Sequence, residues 1–347
     1  MERVAIEGTA FTIGQSLGQL SRPAADCMRA SADWAALDTW RGKPEVSTLM
    51  ERARDAFSQY WEELRGMSAG LGMDMMDVFL WNCRADLLAA PDTASSSIVI
   101  NRLGCGLVVQ KPEVALPLAQ HCRLVDIKPE GKAGFLALFV PGCIPGQAFA
   151  VNHAGVVQAV DAMPGEVHGT GLPSWLISRA VLDAQSLPEA IDIVMECQRF
   201  GAAHHILAST QEFIIVSIEA TPSDRALAPI PNKHWHTNHP ASKPAPAAGM
   251  EHASWSRYAS LKDLLARMPS YPTEDDLVSL LDSRISPADT PASAAVLHPA
   301  KGEIGTALIK IQRHAVELRL FRTPQRGKQR HRIAVTPGQA MNGDEPI

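Results

Sequence analysis

No stretch of this 347-residue chain is long and apolar enough to suggest a transmembrane helix. Its start, Met1-Glu2-Arg3-Val4-Ala5-Ile6-Glu7-Gly8, lacks the basic region, apolar run and cleavage site of a secretory signal. There is no Cys-x-x-Cys pair. Cys27, Cys83, Cys105, Cys122, Cys143 and Cys197 lie far apart, which argues against a disulfide frame or a zinc site and for scattered thiols in a reducing compartment. Positive charge is not in excess either. The net charge is −5, so bulk electrostatics gives no reason to expect a nucleic-acid partner. No internal repeat is visible. These absences leave a soluble, cytoplasmic protein without membrane or nucleic-acid partners as the expectation.

What is present is ordinary globular material, 46% hydrophobic and 20% charged, enough for one large domain or two smaller ones. A short strand is expected at Val4–Glu7 and a turn over Gly8–Gly14, with a helix from Gln15 to Ala30. Leu49, Ala53, Ala56, Phe57, Tyr60, Trp61 and Leu64 recur every three or four residues and predict a helix over 46–66. Gly66, Gly70 and Gly72 punctuate the next stretch as a turn. Asp74 then offers an N-cap for a helix through Leu87.

The character changes after residue 92. Ser95, Ser96 and Ser97 lead into the β-branched run Ile98-Val99-Ile100, then a Gly-containing turn, then Leu107-Val108-Val109-Gln110. That is a β-hairpin pattern. Strand-like runs at 123–127, 135–140, 148–152 and 156–160 are separated by short Gly and Pro clusters, which favours antiparallel pairing over βαβ crossovers. Helices are expected at 174–184 and after Ser186, and strands at 206–208 and 213–218. Residues 240–249 read as an irregular connector. Helices near 255–267 and 273–283 and strands near 305–312 and 315–321 complete the order. The result is an antiparallel sheet system with helices packed outside.

Several separated segments resemble the acyl-CoA:6-aminopenicillanic acid acyltransferase (isopenicillin N acyltransferase) family. They are Gly8-Thr9-Ala10-Phe11-x-Ile13-Gly14-x-x-x-Gly18, Arg65-Gly66-Met67-x-Ala69-Gly70-x-Gly72, Asn82-x-Arg84-x-Asp86, Asn152-His153-Ala154-Gly155-Val156 and Gly171-Leu172-Pro173-Ser174. Ile218-Glu219-Ala220-Thr221-Pro222, His236-Thr237-Asn238-His239-Pro240 and Ser254-x-Ser256-Arg257-Tyr258 come next, in the family's order. The resemblance runs from about residue 4 to about residue 323, and His-Thr-Asn-His is its most specific piece. It implies an α+β fold, the four-layer αββα sandwich of N-terminal-nucleophile hydrolases with antiparallel sheets. It also implies a precursor that cuts itself before a nucleophile whose freed α-amine serves as base. The oxyanion is then held by backbone N–H groups and an Asn side chain. On this basis residues 1–94 form a mostly helical pro-segment or α-subunit equivalent, 95–323 the catalytic-type core, and 324–347 a basic, then flexible tail.

Laid along this chain, the family cysteine nucleophile falls on Ser95. A family Asp falls on Glu113, a family Ser on Thr221, and a Ser-Arg pair on Glu303-Ile304, which loses the guanidinium. Asn238 is retained. Three readings of the nucleophile stay open. Ser95 cuts Ala94–Ser95 and then attacks; or Ser95 is a degenerate position in an uncut, silent relative; or Gly104-Cys105 is the cut site, at the expense of the hairpin register.

The candidate site is Ser95 as nucleophile, Asn238 as oxyanion donor, and Glu113 and Thr221 as orienting groups. The expected activity is transfer or hydrolysis of a small acylated amine. The substrate is an amide or thioester, with acyl-CoA a possible donor and no cofactor implied; the alternative is a silent small-molecule-binding or scaffold protein. His204 and His205 on a strand should point to opposite faces, one satisfied and one exposed. His236 and His239 are expected to frame Asn238 rather than hold a metal. Arg179 and Arg257 read as solvated helix charges or as partners for a substrate carboxylate, and Glu219 as structural.

Overall fold

Thr9 accepts the Thr12 N–H at 3.2 Å and so caps a helix, α1 (Ala10–Ser21), directly after strand β1 (Arg3–Gly8). The expected turn over Gly8–Gly14 is therefore the helix start. In the computed structural model, which describes residues 1–88, 93–163, 169–212, 214–241, 253–282, 301–321 and 333–335, this strand and helix open a mixed α+β fold. The helical first part continues with α2 (Ala25–Arg29), α3 (Ala32–Asp38), α4 (Pro44–Ala56), α5 (Ser58–Leu71), α6 (Met75–Asn82) and α7 (Arg84–Leu87). The single helix expected over 46–66 breaks at Phe57, whose φ of −131° and ψ of 58° lie outside the helical region.

The hairpin pairs β2 (Thr93–Arg102) with β3 (Cys105–Ala115), setting Ser95 opposite Pro112 and Ser97 opposite Gln110. Then come α8 (Leu116–Ala119), β4 (Arg123–Pro129), β5 (Phe135–Phe139), β6 (Ala150–Asn152), β7 (Val156–Ala162), α9 (Ser174–Val181) and α10 (Leu187–Glu196). The chain continues through β8 (Ala203–Ser209), β9 (Ile215–Ala220), β10 (Arg225–Pro229), β11 (Lys233–His236), α11 (Ala253–Arg267) and α12 (Glu274–Asp282). It closes with β12 (Lys301–Glu303), β13 (Thr306–Gln312), β14 (Ala315–Phe321) and β15 (Ile333–Val335). Strands β10, β11 and β12 have no counterpart in the sequence pattern, and β15 lies in the stretch expected to be a solvated tail, pairing with β14. The expected connector over 240–249 lies almost wholly outside the described residues.

Among the described residues one sheet runs β1-β4-β5-β6-β7-β8-β9-β10 and the other β11-β2-β3-β13-β14-β15, with β12 also on β3. The named pairings are antiparallel except β1 with β4, which is parallel. Strand alternation divides the packing. Val99, Val108 and Ile309 share a core with Val125, Phe135 and Phe139 of the other sheet. On the opposite face, Ile98, Ile100 and Val109 pack against Leu261 and Leu265 of α11 and Leu277 and Leu281 of α12. Val181, Ala190 and Val194 of α9 and α10 and the segment between them cover Leu207, Val216 and Ile218. Strand β1 of the helical first part pairs with β4 of the first sheet.

Gly66 and Gly70 do not form a turn; only Gly72, with φ of 72°, ends α5 in the left-handed conformation. The other two sit inside α5 where its backbone touches α1. A Cβ on Gly66 would lie 2.0 Å from the Phe11 carbonyl oxygen, and one on Gly14 1.9 Å from that of Glu63. Arg179 is likewise not a solvated charge. It is 1% exposed and pairs with Glu63 of α5 at 2.6 Å and Asp183 at 2.8 Å, fastening α9 to the helical segment. Gly66→Ala is expected to lower stability by about 1 to 3 kcal/mol through overpacking, read as a lower urea midpoint with unchanged slope. A neutral result would mean that α1 and α5 can separate freely.

Candidate active site

Strand parity turns Ser95, Ser97 and Val99 of β2 toward the other sheet, and Ser95 is 7% exposed. The pairing of His236 with Ser97 brings the end of β11, and Asn238 just beyond it, alongside Ser95. The Ser95 N–H donates to Asn238 Oδ1 at 3.0 Å, while Asn238 Nδ2 donates to Ser95 Oγ at 3.3 Å and to the Ala162 carbonyl at 2.9 Å. Arg257 donates to the same Oδ1 at 2.6 Å. A guanidinium has no acceptor, so it fixes which end of the carboxamide is oxygen and turns Nδ2 toward the serine hydroxyl. Arg257 is thus a working contact of α11.

The backbone of Asn238 is held as firmly. Its N–H donates to Ser254 Oγ at 2.7 Å; His239 Nδ1 meets the same hydroxyl at 2.7 Å, and its ring stacks on Trp255 at 3.7 Å. His239 therefore frames Asn238 through Ser254, as expected. His236 does something else.

Between the sheets Asp161, fully buried, gathers four side chains. Its Oδ1 accepts from Ser97 Oγ at 2.9 Å and Gln110 Nε2 at 3.3 Å, and its Oδ2 stands 3.3 Å from Nδ1 of both His204 and His236. An ionised carboxylate only accepts, so both Nδ1 atoms carry hydrogen. Burial alone would raise the Asp161 pKa, but the hydrogen bonds from the two histidines outweigh it and hold the carboxyl well below its usual range. Burial, with the charge on His236, pushes His204 down to about 4, leaving it neutral and able to accept from Ser217 Oγ at 2.8 Å. Burial also disfavours charge on His236, yet its hydrogen bond to Asp161 and the nearby Glu219 carboxylate prevail and raise its pKa. Glu219 Oε1 lies 3.4 Å from His236 Nε2, an ion-pair contact longer than a good hydrogen bond.

Asp161, His204 and His236 are also of metal-binding type. However, the two rings stack at 3.6 Å and lie within 22° of parallel. A ligating lone pair lies in its ring plane, so these planes cannot both contain one ion about 2 Å from each nitrogen. The set suits a multiply hydrogen-bonded carboxylate.

The other sequence-predicted residues separate. Glu113 sits opposite Ala94, one step out of phase with Ser95, so it faces away from the hydroxyl while bordering the same small cavity. Arg257 feels its charge. Thr221 is not brought to Ser95. It bonds Asp224 through that residue's N–H at 3.0 Å, closing its own turn, and its strand lies two places from Ala162, roughly 10 Å across the sheet. Cys105 opens β3 opposite Arg102, at the turn. Ile304 is 4% exposed and belongs to the core.

His204 and His205 are both fully buried, so neither is the exposed one expected. His205 has no partner for either ring nitrogen among the described residues, and burial holds it neutral. Asp161, Ser97 and Gln110 were missed from sequence. The only signal was a carboxylate ending the apolar run Val156–Val160. The cavity at Ser95, bordered by Leu138, Val140, Ala148, Trp175 and Asn238 among others, holds about 40 Å³. That is room for on the order of three waters or a short acyl group.

Asp161→Asn is expected to cost about 3 kcal/mol at neutral pH, measured by urea unfolding. A depressed folded pKa contributes stability that is present above the unfolded value and lost as pH falls. The gap to wild type should therefore close below about pH 4. A gap independent of pH would show that the charge at Asp161 is not what stabilises the fold.

Residues 114–310, more than half of the chain, match the family described as Acyl-coenzyme A:6-aminopenicillanic acid acyl-transferase. The matched stretch begins just after Glu113 and includes Asn238. Among curated proteins, the beta-alanyl-dopamine/carcinine hydrolase of Drosophila melanogaster is 23% identical over 176 residues, which are 45% of this chain and 46% of that enzyme. The match thus spans less than half of either protein.

Proposed function

Because the chain belongs to the acyl-coenzyme A:6-aminopenicillanic acid acyl-transferase family, we propose that it is a self-processing acyltransferase or amide hydrolase of small acylated amines, with Ser95 as an N-terminal nucleophile. The observation that carries this is the double contact of Asn238 with Ser95. One end of the carboxamide holds the backbone nitrogen and the other reaches the hydroxyl. The packing of α9 and α10 on one sheet and α11 and α12 on the other supports reading the fold as the four-layer αββα sandwich.

In the first step Ser95 Oγ attacks the Ala94 carbonyl carbon. The Ala94–Ser95 C–N bond breaks, the hydroxyl proton ends on the Ser95 nitrogen, and an ester links Ala94 to Ser95 Oγ. Water hydrolyses that ester, leaving a carboxylate on Ala94 and a free α-amine on Ser95. In turnover the amine takes the Oγ proton as Oγ attacks the substrate carbonyl, then gives it to the leaving amine. Water or an acceptor amine, losing a proton to the same α-amine, next attacks the acyl ester, and Oγ leaves and takes that proton back. Asn238 Nδ2 donates to the oxyanion while Oδ1, pinned by Arg257, keeps the amine in place. Glu113, out of phase with the hydroxyl, is suited to orient the amine in the plane of the sheet. Thr221 acts only by closing the turn that ends β9.

The small cavity favours a short acyl group, and the relative's name offers two probes, β-alanyl-dopamine and carcinine. An acyl-CoA donor suits the transfer reaction. The six free thiols suit a reducing compartment such as the cytoplasm. A buried Ile304, where the resemblance would put a guanidinium, is the observation that favours the second reading, a silent binding protein.

Intact mass under denaturing conditions, with sequencing of every N-terminus, decides between them. Two fragments are expected, the larger beginning at Ser95, and Ser95→Ala should remain one chain. A start at Cys105 would move the nucleophile, and a wild-type chain that never cuts would leave the silent reading. In the cut protein Asn238→Ala should lower kcat on carcinine by about 10²- to 10³-fold. Unchanged turnover would remove Asn238 from the oxyanion site.

A further inference from the structure

Asn238 lies in a short connection whose two sides are tied to one carboxylate. Glu219, on β9, faces His236 Nε2 at 3.4 Å, and its Oε1 also accepts the Ala241 N–H at 2.7 Å. Asn238 sits between these ties. Its Nδ2 donates to the carbonyl of Ala162, the residue after Asp161, and Asp161 grips the other ring nitrogen of His236. Asp161 also holds Ser97, two residues along the strand from Ser95. The strand of the nucleophile and the connection carrying its amide donor therefore meet at one imidazole seated between two carboxylates.

We propose that His236 is a positioning residue: bridged between Asp161 and Glu219, it sets the Asn238 carboxamide at Ser95. It touches no reacting atom and acts only through Asn238, so the inference rests on the role given to Asn238 above. A hydrogen-bonded donor displaced by about 1 Å loses on the order of a hundredfold in rate.

The bridge is strongest with His236 charged. The groups facing it are Asp161 on β7, His204 on β8, Glu219 on β9, His234 on its own strand and His239 beyond Asn238. Burial holds His204 at about 4 and His234 at about 3, so neither gains charge near neutrality. His236 is shifted the other way. A histidine whose folded pKa is raised contributes below its ordinary value and loses that contribution as pH rises through the folded one. The freed Ser95 amine, ordinarily near pH 8, works in its neutral form and so gives the rising limb of a rate profile. His236 gives the falling limb.

The test uses the full chain as purified, with Glu219→Gln and His236→Gln beside wild type, and two readouts. The first is the NMR signal of the Asn238 carboxamide across pH, assigned with Asn238→Asp. It should move with the His236 ring in wild type, at a lower pH in Glu219→Gln, and in His236→Gln only with the Ser95 amine that Asn238 Oδ1 holds. The second is carcinine turnover. His236→Gln should lower kcat about a hundredfold with KM changed by less than about threefold, and Glu219→Gln should bring the falling limb to lower pH.

A carboxamide signal indifferent to the ionisation and substitution of His236 overturns the inference, even where carcinine is turned over. A signal that follows His236 in a chain that neither cuts nor turns over carcinine supports the positioning role and counts against the enzyme reading alone. Equal losses in the stability of all variants, with kcat of the folded fraction unchanged, would reduce the bridge to a structural one and overturn it as well.

Discussion

One buried anion holds the two sheets in register. Asp161 leaves the end of β7 and is met by Ser97 of β2, Gln110 of β3, His204 of β8 and His236 of β11, contacts from both sheets on a single carboxylate. An isolated buried carboxylate would be costly; four donors make it tolerable and, by their directions, specific. Apolar packing between Val99, Val108 and Phe135 lets the sheets associate, but such contacts tolerate sliding and exchange. Hydrogen bonds at 2.9 to 3.3 Å around one oxygen pair do not. Ser95 lies two residues from one of these donors, and Asn238 two residues from another.

The fold depends on backbone approach as much as on burial. The N-terminal helices meet where Gly14, Gly66 and Gly70 let main chain touch main chain. Arg179, sunk between Glu63 and Asp183, then fastens α9 to the same helix. These are long-range facts with short-range signatures. A glycine reads the same in a turn as at a helix crossing, and an arginine on a helix reads the same whether it meets water or a carboxylate.

That ambiguity marks how far the sequence was legible. The hairpin, the central strands and the helices over 174–184, 255–267 and 273–283 come from apolar period and turn residues alone, because those signals are local. Strands β10, β11 and β12 are short, polar or edge-lying, and their pairing comes from the neighbouring strand rather than from their own pattern. Ser95 and Asn238 were visible as a motif, and the chain brings them within hydrogen-bonding distance across 143 positions. Thr221 shared the motif but not the place, since one more residue beyond β9 turns it into its own loop. Asp161 and the pairing of His204 with His236 were out of reach. A single Asp after an apolar run has no period, and stacked histidines from different strands meet only in three dimensions.

The parallel pairing of β1 with β4 has a consequence for any molecule severed between Ala94 and Ser95. The first fragment would still supply the edge strand of one sheet, while its helices keep their contacts with the second fragment: Asn82 with the Gly142 carbonyl and the Ile144 N–H, Glu63 with Arg179, Tyr60 with Asp183. Such a product is a two-chain protein assembled before it is cut. Its subunits need not find each other in solution to form the first time, and the contacts that hold them are the ones the single chain made before the cut.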